Sequence, residues 1–597
     1  MIIRKRPKAV LDIECYVNFF LIAIKSLSNG KVALFERSDW TDFNLQDLKT
    51  ILAKFTIITF NGKWYDELLI KYAIAGGKPA QLKKMSDQII VDEAKPWDVE
   101  RGYALPNLPY LDHIDLIEVA PGKASLKIYG GRMHSKRMQD LPIEPSATIT
   151  NEDRVNLTSY CVNDLDTTVD LFNQLKDQVE LRERMSEEYG VDLRSKSDAQ
   201  MAEAVIRSQI EKIKGERIYR PEFPKNYSFL YNPPTFIRFD SPQLREALQV
   251  FRTSLFSLDA KGDVAEPEAV GKLKVRVGKT DYQLGIGGIH SCEKKVFYVA
   301  DADRSLYDRD VTSYYPNIIL NQRLYPEHIG PEFLSVYRSI VERRIAAKRA
   351  KDKVTDASLK ITINGSFGKF GSKWSCLYGP NLLIQTTVTG QLALLMLIER
   401  LENQGVSVVS ANTDGIVILC HRSKRDVMLA VIADWEKATS FNTEETEYSA
   451  IYSRDVNNYI ALKKDGKYKT KGPYADPNLS KTPQAQVCVQ AVVDYLQCDI
   501  PIEMTVAMCR DVRQFISVRT VGGGAVKGNA YLGKAVRWYY AKGESSAIHY
   551  KKNGNKVAKT DGAKPLMVLP DQLPDDIDRA WYISEAESIL GDFGIKA

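Results

Sequence analysis

The chain has 597 residues, of which 44% are hydrophobic and 26% charged. This length predicts several packed domains, and the composition argues against a disordered or fibrous protein. The net charge of +6 is small for such a length, so charge balance alone does not indicate a polyanion-binding protein. The eight cysteines are scattered singly, with no CxxC and no His/Cys cluster, which indicates neither a zinc site nor a disulfide framework and favours a reducing cytoplasm.

The N-terminus, MIIRKRPKAVLDIECYVNFFLIAI, is basic and then apolar, a pattern also seen in signal peptides. Asp12 and Glu14 interrupt the apolar run, and no small-residue cleavage site follows it. We therefore expect no membrane segment and a soluble protein that stays in the cytoplasm.

Residues 1–185 mix short apolar runs with amphipathic helical stretches, which predicts an α/β unit. A proline-rich, aromatic segment between Arg217 and Pro242 predicts a connection. The extended stretch SLYDRDVTSYYPNIIL comes next, followed by a helical hairpin with its turn near Val354. A third helix, TGQLALLMLIERLENQG, then leads into VSVVSANTDGIVILC, which predicts two strands joined by a tight Asn-Thr-Asp-Gly turn.

Two carboxylates stand at predicted strand ends, Asp310 after one strand and Asp414 at the hairpin tip. An Asp-Gly hairpin alone is usually a simple turn, but a second strand-end acid favours chemistry. Mg²⁺ prefers oxygen ligands, and two such ions ~3.5–4 Å apart clamp the attacking and leaving oxygens of a phosphoryl displacement. Asp308 shares the strand face of Asp310, and we interpret it as a structural or outer-shell acid.

The stretch LKITINGSFGKFG places a cation, an amide and an aromatic ring on one helical face, at i, i+4 and i+7. Two further cations stand one turn apart on the preceding helix, and together they predict a cationic pocket for a triphosphate. A base would stack beside the ring and the glycine next to it. The alternative for the basic helix alone is a solvated surface. The predicted nucleotide-binding residues are Arg344, Lys348, Lys360, Asn364, Phe367 and Gly368.

These segments, in this order, resemble the polymerase motifs of family B DNA polymerases: D-x-x-S-L-Y-P, K-x-x-x-N-S-x-Y-G and D-T-D-S. Here they read DVTSYYP from Asp310, KITINGSFG from Lys360 and NTDG from Asn412. The resemblance implies that Asp310 and Asp414 are the principal metal ligands, with Val311 beside them. It also implies that Tyr315 is a steric gate selecting dNTPs. This sequence departs from the family's pattern at Gly365, Phe367, Asn412 and Gly415.

Three N-terminal segments, LDIE, FNGKWYD and YCVND, resemble the exonuclease motifs of a ribonuclease-H-like 3′–5′ proofreading domain. The resemblance implies metal-assisted phosphodiester hydrolysis, in which Tyr160 orients the attacking water. It also implies a DNA contact from Asn61 and a further exonuclease lysine at Lys127. The implied catalytic and metal-binding carboxylates are Asp12, Glu14, Asp66 and Asp164.

Three weaker similarities extend the resemblance along the chain. GIGGIHS, residues 285–291, is similar to the glycine-rich link between exonuclease and polymerase. NNYIALKKDGKYKTKG is similar to the family's K-x-Y strand and Lys-Gly pair, with Asn457 in place of the lysine and Gly472 matching the glycine. The tail interleaves Lys534 and other basic residues with Tyr531, Trp538 and Tyr539, as in a thumb that grips duplex backbone. The implied DNA contacts are Tyr459, Lys471, Lys527 and Arg537.

The fold class expected is multidomain α/β and α+β, a ribonuclease-H-like exonuclease followed by a right-hand polymerase. The expected domains are 1–185 exonuclease, 186–330 linker and first part of the palm, 331–371 fingers helical hairpin, 372–500 second part of the palm, and 501–597 thumb.

The expected function is template-directed DNA synthesis with proofreading by a phage replicase, which extends a nucleic-acid primer in the bacterial host cytoplasm. The intervals between motifs leave no room for the insertions of the protein-primed branch. Expected cofactors are two Mg²⁺ per active site, with Mn²⁺ as substitute. Expected partners are primer-template DNA, dNTPs and a helicase, single-strand-binding protein or processivity factor, with the chain a monomer. Two alternatives stay open: an exonuclease whose polymerase half only binds DNA, and a reverse-transcriptase-like polymerase.

Overall fold

The computed structural model describes residues 5–596, which form two compact units that each mix helices and strands. The mixed α/β, multidomain organisation expected from the sequence is confirmed. Unit 1 contains the described residues up to Ser197, with 476–488 and 504–583; unit 2 contains 198–475, 489–503 and the described residues from 584 onward. Residues 504–583 therefore share a unit with the N-terminal sheet, whereas the sequence analysis set 501–597 apart as a thumb.

Unit 1 is built on a five-stranded sheet whose central strand carries Asp12 and Glu14. The three strands that begin the chain pair antiparallel, and the two that follow add in parallel. Apolar side chains cover both faces of this sheet and form two separate core clusters. In spatial order the strands are Val32–Ser38, Phe19–Ser26, Lys8–Tyr16, Thr56–Thr59 and Asp112–Asp115.

The described N-terminal part of unit 1 also contains seven helices: Leu45–Lys54, Asp66–Ile74, Pro79–Ile90, Pro96–Gly102, Leu126–Arg132, Asn151–Gln174 and Lys176–Tyr189. The longest of them begins at a capping box, in which Thr150 and Asp153 satisfy each other's backbone N–H groups. A second sheet of unit 1 has four strands in the order His549–Tyr550, Ser517–Lys527, Ala530–Tyr540 and Ala563–Pro565.

Unit 2 is built on a ten-stranded sheet whose strand Arg304–Val311 carries Asp310. In spatial order nine strands are Tyr468–Thr470, Asn458–Lys463, Thr443–Asp455, Arg304–Val311, Gly415–His421, Ser407–Asn412, His290–Ser291, Thr280–Gln283 and Lys274–Val277. The tenth, Val296–Val299, pairs with Thr443–Asp455. A smaller sheet contains Ser228–Phe229, Phe256–Leu258 and Val264–Ala265.

Residues 331–371 form two helices that pack against each other, Glu332–Arg349 and Lys353–Lys369. A third helix, Asp198–Lys214, packs against the second of these, and the sequence analysis did not predict it there. The crossing is close at Gly365, where an added Cβ would lie 2.8 Å from the Cβ of Ala202. The departure from serine at residue 365 therefore has a packing reason.

The remaining helices of unit 2 include Pro242–Thr253, Glu268–Gly271, Tyr314–Asn321, Pro380–Asn403 and Arg425–Thr439. Three further helices each begin in the sequence range of one unit and end in that of the other: Gln486–Cys498, Ile502–Met508 and Arg579–Asp592. Among residues 5–596, one helix, Pro380–Asn403, is long and apolar enough to cross a membrane, but 83% of its most apolar window is buried. Its residues form much of the largest apolar core, which explains their hydrophobicity.

Candidate active sites

Asp310 and Asp414, 104 positions apart in sequence, meet at one edge of the unit 2 sheet. Asp310 pairs with Gly415 in the antiparallel ladder, and the backbone N–H of Val311 donates to the carbonyl of Asp414 at 2.8 Å. The predicted tight turn is present: strands Ser407–Asn412 and Gly415–His421 are joined through Thr413, which has φ 57°. The register of the sheet therefore brings both acids to the same point.

The two carboxylates border two cavities. The first cavity is lined by Asp310, Val311, Ser313, Tyr315, Arg344, Lys348, Lys360, Asn364, Phe367, Asp414 and Glu444 among others. The second cavity is lined by Asp308, Asp310, Asn412, Asp414, Tyr448, Tyr459, Lys469 and Lys471 among others. Asp310 and Asp414 thus stand where the two cavities adjoin.

The surroundings of Asp310 raise its pKa to about 6, first because flanking protein removes water and then because of Asp308. Loss of water also raises the pKa of Asp414. Acids placed together in this way repel one another, and a divalent cation with a preference for oxygen ligands would relieve the repulsion. The donor set fits Mg²⁺ or Mn²⁺.

The first cavity has the predicted cations on its wall. Lys360 and Lys348 are solvent-exposed, and Lys348 pairs with Glu444 at 3.1 Å. Arg344 is half-buried: its Nε donates to Asp356 at 3.0 Å, and its Nη1 donates to Ser313 at 3.2 Å. Arg344 therefore also ties the helical hairpin to the segment after Asp310.

Tyr315 packs against Phe367, with ring centroids 4.4 Å apart. Burial and the nearby Asp414 raise the pKa of Tyr315 to about 12, so its hydroxyl stays protonated. An added Cβ at Gly368 would meet no described atom within 4 Å, and Asn364 is exposed on the same helix. The ring of Tyr315 is thus held in a fixed position beside an open helical surface.

Two of the departures from the family's pattern contact each other. The Asn412 side chain donates to the Asn457 side chain at 3.1 Å and to the carbonyl of Val456 at 2.9 Å. A pair of neutral amides thus stands where the family's motifs have an aspartate and a lysine. Because both side chains are neutral, the contact leaves no unpaired charge.

The glycine-rich segment 285–291 supports the Asp414 turn. Ile289 accepts a backbone hydrogen bond from Thr413 at 2.9 Å, and an added Cβ at Gly288 would lie 2.7 Å from the Thr413 hydroxyl. The Gln391 side chain donates to the carbonyls of Gly285 and Gly287 at 2.7 and 2.6 Å. This packing fixes the turn from behind.

Sequence reasoning missed Lys469, which reaches Asp308 from a strand three places away in the sheet. Its Nζ lies 3.4 Å from Asp308 Oδ2, which also accepts from the hydroxyl of Tyr448. Asp308 is 7% exposed. Tyr459 and Lys471, which match the tyrosine of the K-x-Y strand and the lysine of the Lys-Gly pair, line the same cavity. The backbone N–H of Lys471 donates to the Tyr459 carbonyl at 2.9 Å.

Unit 1 brings the four predicted exonuclease carboxylates into one group, in which three are buried and Asp12 is partly exposed. Glu14, Asp66 and Asp164 are 5–8% exposed. Asp12, Glu14 and Cys161 offer possible ligand atoms that all lie within 4.8 Å of one another. Tyr160 hydrogen-bonds Asp164 from one helical turn away.

Burial and mutual repulsion dominate the electrostatics of this group. Burial, followed by the charge of Asp164, raises the pKa of Asp12 to about 7. The pKa of Glu14 is raised by burial and by Asp12, and that of Asp66 by burial and by Asp12. Four acids held in this state fit a divalent cation with oxygen ligands.

Lys127 is the cation of this site. Its Nζ forms an ion pair with Asp164 and lies 4.3 Å from the centre of the Tyr160 ring. The helix that carries it, Leu126–Arg132, is capped at its N-terminus by Ser125, whose side chain accepts from the N–H of Ile128. Lys127 thus contacts Tyr160 and Asp164, the first and last residues of the YCVND segment.

Sequence reasoning missed Asp115, which shapes the loop carrying Asn61. Asp115 is 3% exposed, and its carboxylate accepts from the backbone N–H groups of Asn61 and Lys63 at 2.7 and 2.9 Å. Asn61 has φ 67° and an exposed side chain. An acid at the end of a strand, followed by apolar residues, was the signal available in the sequence.

Arg537 was predicted to contact DNA, and its burial contradicts that role. The side chain is fully buried, and its guanidinium donates to the carbonyls of Leu566 at 2.7 Å and Ser135 at 2.8 Å. Lys527 is also engaged, with Glu544 at 3.1 Å and the Ala563 carbonyl. A strand read as basic and aromatic does not reveal which of its faces is buried, and Arg537 lies on the buried face.

Comparisons with known proteins give a limited sequence similarity and a structural alignment. No protein-family profile matches the sequence. A stretch of 123 residues is 27% identical to DNA polymerase 1 of Saccharolobus solfataricus, covering 20% of this chain and 14% of that protein. The chain therefore matches only a small part of the relative's length. The structure of the family B DNA polymerase from the hyperthermophilic archaeon Pyrobaculum calidifontis aligns with a TM-score of 0.42 and 15% identity, over 99% of this chain and 78% of that chain.

Proposed function

We propose that the chain is a template-directed DNA polymerase with a 3′–5′ proofreading exonuclease. The main support for polymerase activity is the convergence of Asp310 and Asp414 beside a cavity lined by Lys360, Arg344 and Lys348. The similarity of part of the sequence to a DNA polymerase supports the same conclusion.

In this proposal the first cavity receives the dNTP. The three cations neutralise negative charge that develops on the triphosphate in the transition state. Such electrostatic stabilisation, together with positioning, supplies most of the rate enhancement in phosphoryl transfer. Tyr315 and Phe367 contact the sugar and base, and the ring of Tyr315 excludes a 2′-hydroxyl. Asp310 and Asp414 would hold Mg²⁺ or Mn²⁺, which supplies charge stabilisation for the attacking and leaving oxygens.

The primer's 3′ end then enters through the second cavity, since it must reach the same two acids from the other side. Tyr459, Lys471 and Lys469 line this cavity. In unit 1, Asp12, Glu14, Asp66 and Asp164 would hold the cations of the exonuclease, and Tyr160 orients the water that hydrolyses the terminal phosphodiester.

We further propose that the chain is a phage replicase. It works as a monomer and extends a nucleic-acid primer in the bacterial host cytoplasm. A helicase, a single-strand-binding protein or a processivity factor would assist it. Unaided synthesis over many kilobases with strand displacement would contradict the dependence on helpers.

The test is a mismatched primer annealed to a DNA template, incubated with Mg²⁺ and with or without dNTPs. We expect shortening of the primer without dNTPs and correction followed by extension with them. Asp414→Asn should abolish extension but retain shortening, and Asp12→Ala should do the reverse. Asp434→Asn, at an exposed aspartate in the helix Arg425–Thr439, is the matched control and should leave both activities intact.

The same assay separates the competing functions. Extension that survives Asp414→Asn would refute the assignment of the polymerase site. Shortening without any extension by the unmodified chain would favour an exonuclease whose other half only binds DNA. Equal extension on RNA and DNA templates would favour a reverse-transcriptase-like enzyme.

A further inference from the structure

The second cavity contains a buried acid and a lysine that the proposed reaction does not yet use. Asp308 and Lys469 are 161 residues apart in sequence and meet at 3.4 Å. Asp308 stands on the same strand face as Asp310, two residues before it. The side chain of Lys469 is 43% exposed and lines the second cavity, so the contact with Asp308 leaves part of this side chain accessible.

Backbone pairing and side-chain hydrogen bonds together fix the position of Lys469. Its strand, Tyr468–Thr470, pairs with Asn458–Lys463, which places Lys469 opposite Ala461. Tyr459 also hydrogen-bonds Lys469, and the hydroxyl of Tyr448 donates to Asp308. A lysine is normally a flexible cation, and these contacts hold its head group at the wall of the cavity.

Neighbouring lysines of the same hairpin are used differently. Lys464 pairs with Glu447 at 2.8 Å and Lys467 with Asp465 at 3.3 Å, and neither lines the second cavity. Asn457, where the K-x-Y pattern would have a lysine, is a neutral side chain bonded to Asn412. The cations on this side of the two acids, Lys469 and Lys471, therefore come from the next strand and the residue that follows it.

We propose that Lys469 binds the backbone phosphate of the primer's terminal nucleotide and that Asp308 positions it for this contact. The inference rests on the proposed function, because the primer's 3′ end must approach Asp310 and Asp414 through this cavity. The phosphate next to a terminal nucleotide lies one nucleotide from the attacking hydroxyl, and the ammonium of Lys469 keeps a third N–H donor for it beside those directed at Asp308 and Tyr459. Asp308 acts only through Lys469, so it is a positioning residue.

A purely structural alternative makes Lys469 no more than the counter-ion of a buried acid. The two readings differ in the dependence of DNA binding on salt. Each lysine that contacts a phosphate contributes about one to the slope of log Kd against log salt, whereas an internal counter-ion contributes nothing.

The experiment measures primer-template binding at several salt concentrations and single-nucleotide extension at varied dNTP. We expect Lys469→Gln to weaken binding about tenfold and to lower the salt slope by about one, with the KM for dNTP unchanged. Lys469→Arg should keep the charge and most of the binding. Lys467→Gln, two residues away and outside the cavity, is the matched control and should behave like the unmodified chain.

Removing Lys469 alone leaves Asp308 buried without its cation, which could impair folding. The double variant Asp308→Asn with Lys469→Gln removes both charges together and avoids this problem. We expect it to fold normally and still to show the weaker binding and the reduced slope. Asp308→Asn alone, which keeps the cation, should weaken binding less than Lys469→Gln does.

The outcomes are distinguishable from failure of the proposed function. If the unmodified chain extends no primer, the proposed function fails. If the unmodified chain extends primers and the double variant matches it in binding and salt slope, only the inference about Lys469 is overturned. A larger loss from Asp308→Asn than from Lys469→Gln would overturn the positioning role of Asp308.

Discussion

The carboxylate of Asp310 lies directly against Gly415. A methyl group added to residue 415 would come 2.1 Å from Oδ1 of Asp310, a separation that no pair of non-bonded atoms adopts. The two residues face each other in neighbouring strands, so the contact follows from the register of the sheet. Gly415, a departure from the family's D-T-D-S pattern, is thus what allows Asp310 to sit where it does.

Gly415→Ala should therefore displace the Asp310 carboxylate. A shift of about 1 Å in a reacting group can cost on the order of 100-fold in rate, and we expect a loss of that size in primer extension. Gly591→Ala is the matched control, because an added Cβ there meets no described atom within 4 Å. Extension by Gly415→Ala at the unmodified rate would show that Asp310 tolerates the displacement.

Tyr315→Val should relax the choice of sugar. The ring of Tyr315 packs 4.4 Å from that of Phe367, and its loss opens space beside the helix. We expect the preference for dNTPs over NTPs to fall at least tenfold, measured as a ratio of kcat/KM values for the paired nucleotides. Tyr315→Phe keeps the ring and should keep the preference. An unchanged ratio in Tyr315→Val would place the sugar elsewhere.

Lys360 and Arg344 should respond differently to removal. Lys360 is exposed, so Lys360→Ala should lower kcat/KM for dNTPs by about 100-fold without affecting stability. Arg344 also bridges Asp356 and Ser313, so Arg344→Ala should lower both activity and melting temperature. Lys353→Ala, an exposed lysine on the helix of Lys360, is the control for charge alone. Equal effects of Lys353→Ala and Lys360→Ala would contradict a specific triphosphate contact.

The clustered acids of unit 1 should make stability depend on pH when no divalent cation is bound. The pKa of Asp12 rises from 3.8 to about 7 on folding, so the native state favours its protonated form. This contribution to stability is present below the unfolded pKa and is lost as pH increases from about 4 to about 7. The expected decrease in the free energy of unfolding is on the order of a few kcal/mol.

Urea unfolding in a chelator at pH 4.5 and pH 7.5 measures most of this decrease. Asp12→Asn should flatten the pH dependence and raise stability at pH 7.5, because it removes one of the repelling charges. Excess Mg²⁺ should restore the stability of the unmodified chain, since a ligand that binds only the native state stabilises it. Equal stability at the two pH values would refute the proposed repulsion.

Arg537 should matter for stability rather than for DNA affinity. Arg537→Ala leaves the buried carbonyls of Ser135 and Leu566 without their donor, at a cost of about 1–3 kcal/mol each. We expect a lower melting temperature but unchanged DNA affinity in the fraction that folds. Lys534→Ala, at an exposed lysine on the same strand, should leave stability unchanged. A loss of DNA affinity without destabilisation in Arg537→Ala would restore the original prediction.

The features that the sequence predicted best are local ones. The hairpin around Asp414, the two helices carrying Arg344 and Lys360, and the neighbourhood of Tyr160 and Asp164 each depend on residues within a few positions of one another. Alternation and helical spacing fix such relationships before any folding. Departures such as Gly365 and Gly415 could be noticed in the sequence, but their causes lie in distant residues.

The sequence by itself determined which side chains stand at strand ends and which share a helical face, because these depend only on backbone geometry. The tertiary structure alone decided that Asp310 meets Gly415, that Lys469 reaches Asp308 and that Arg537 is buried. These contacts join residues more than 100 positions apart, and they follow from sheet register and from which face packs against a core. A periodic pattern shows that a strand has two faces, but only the neighbours it acquires on folding decide which face meets water.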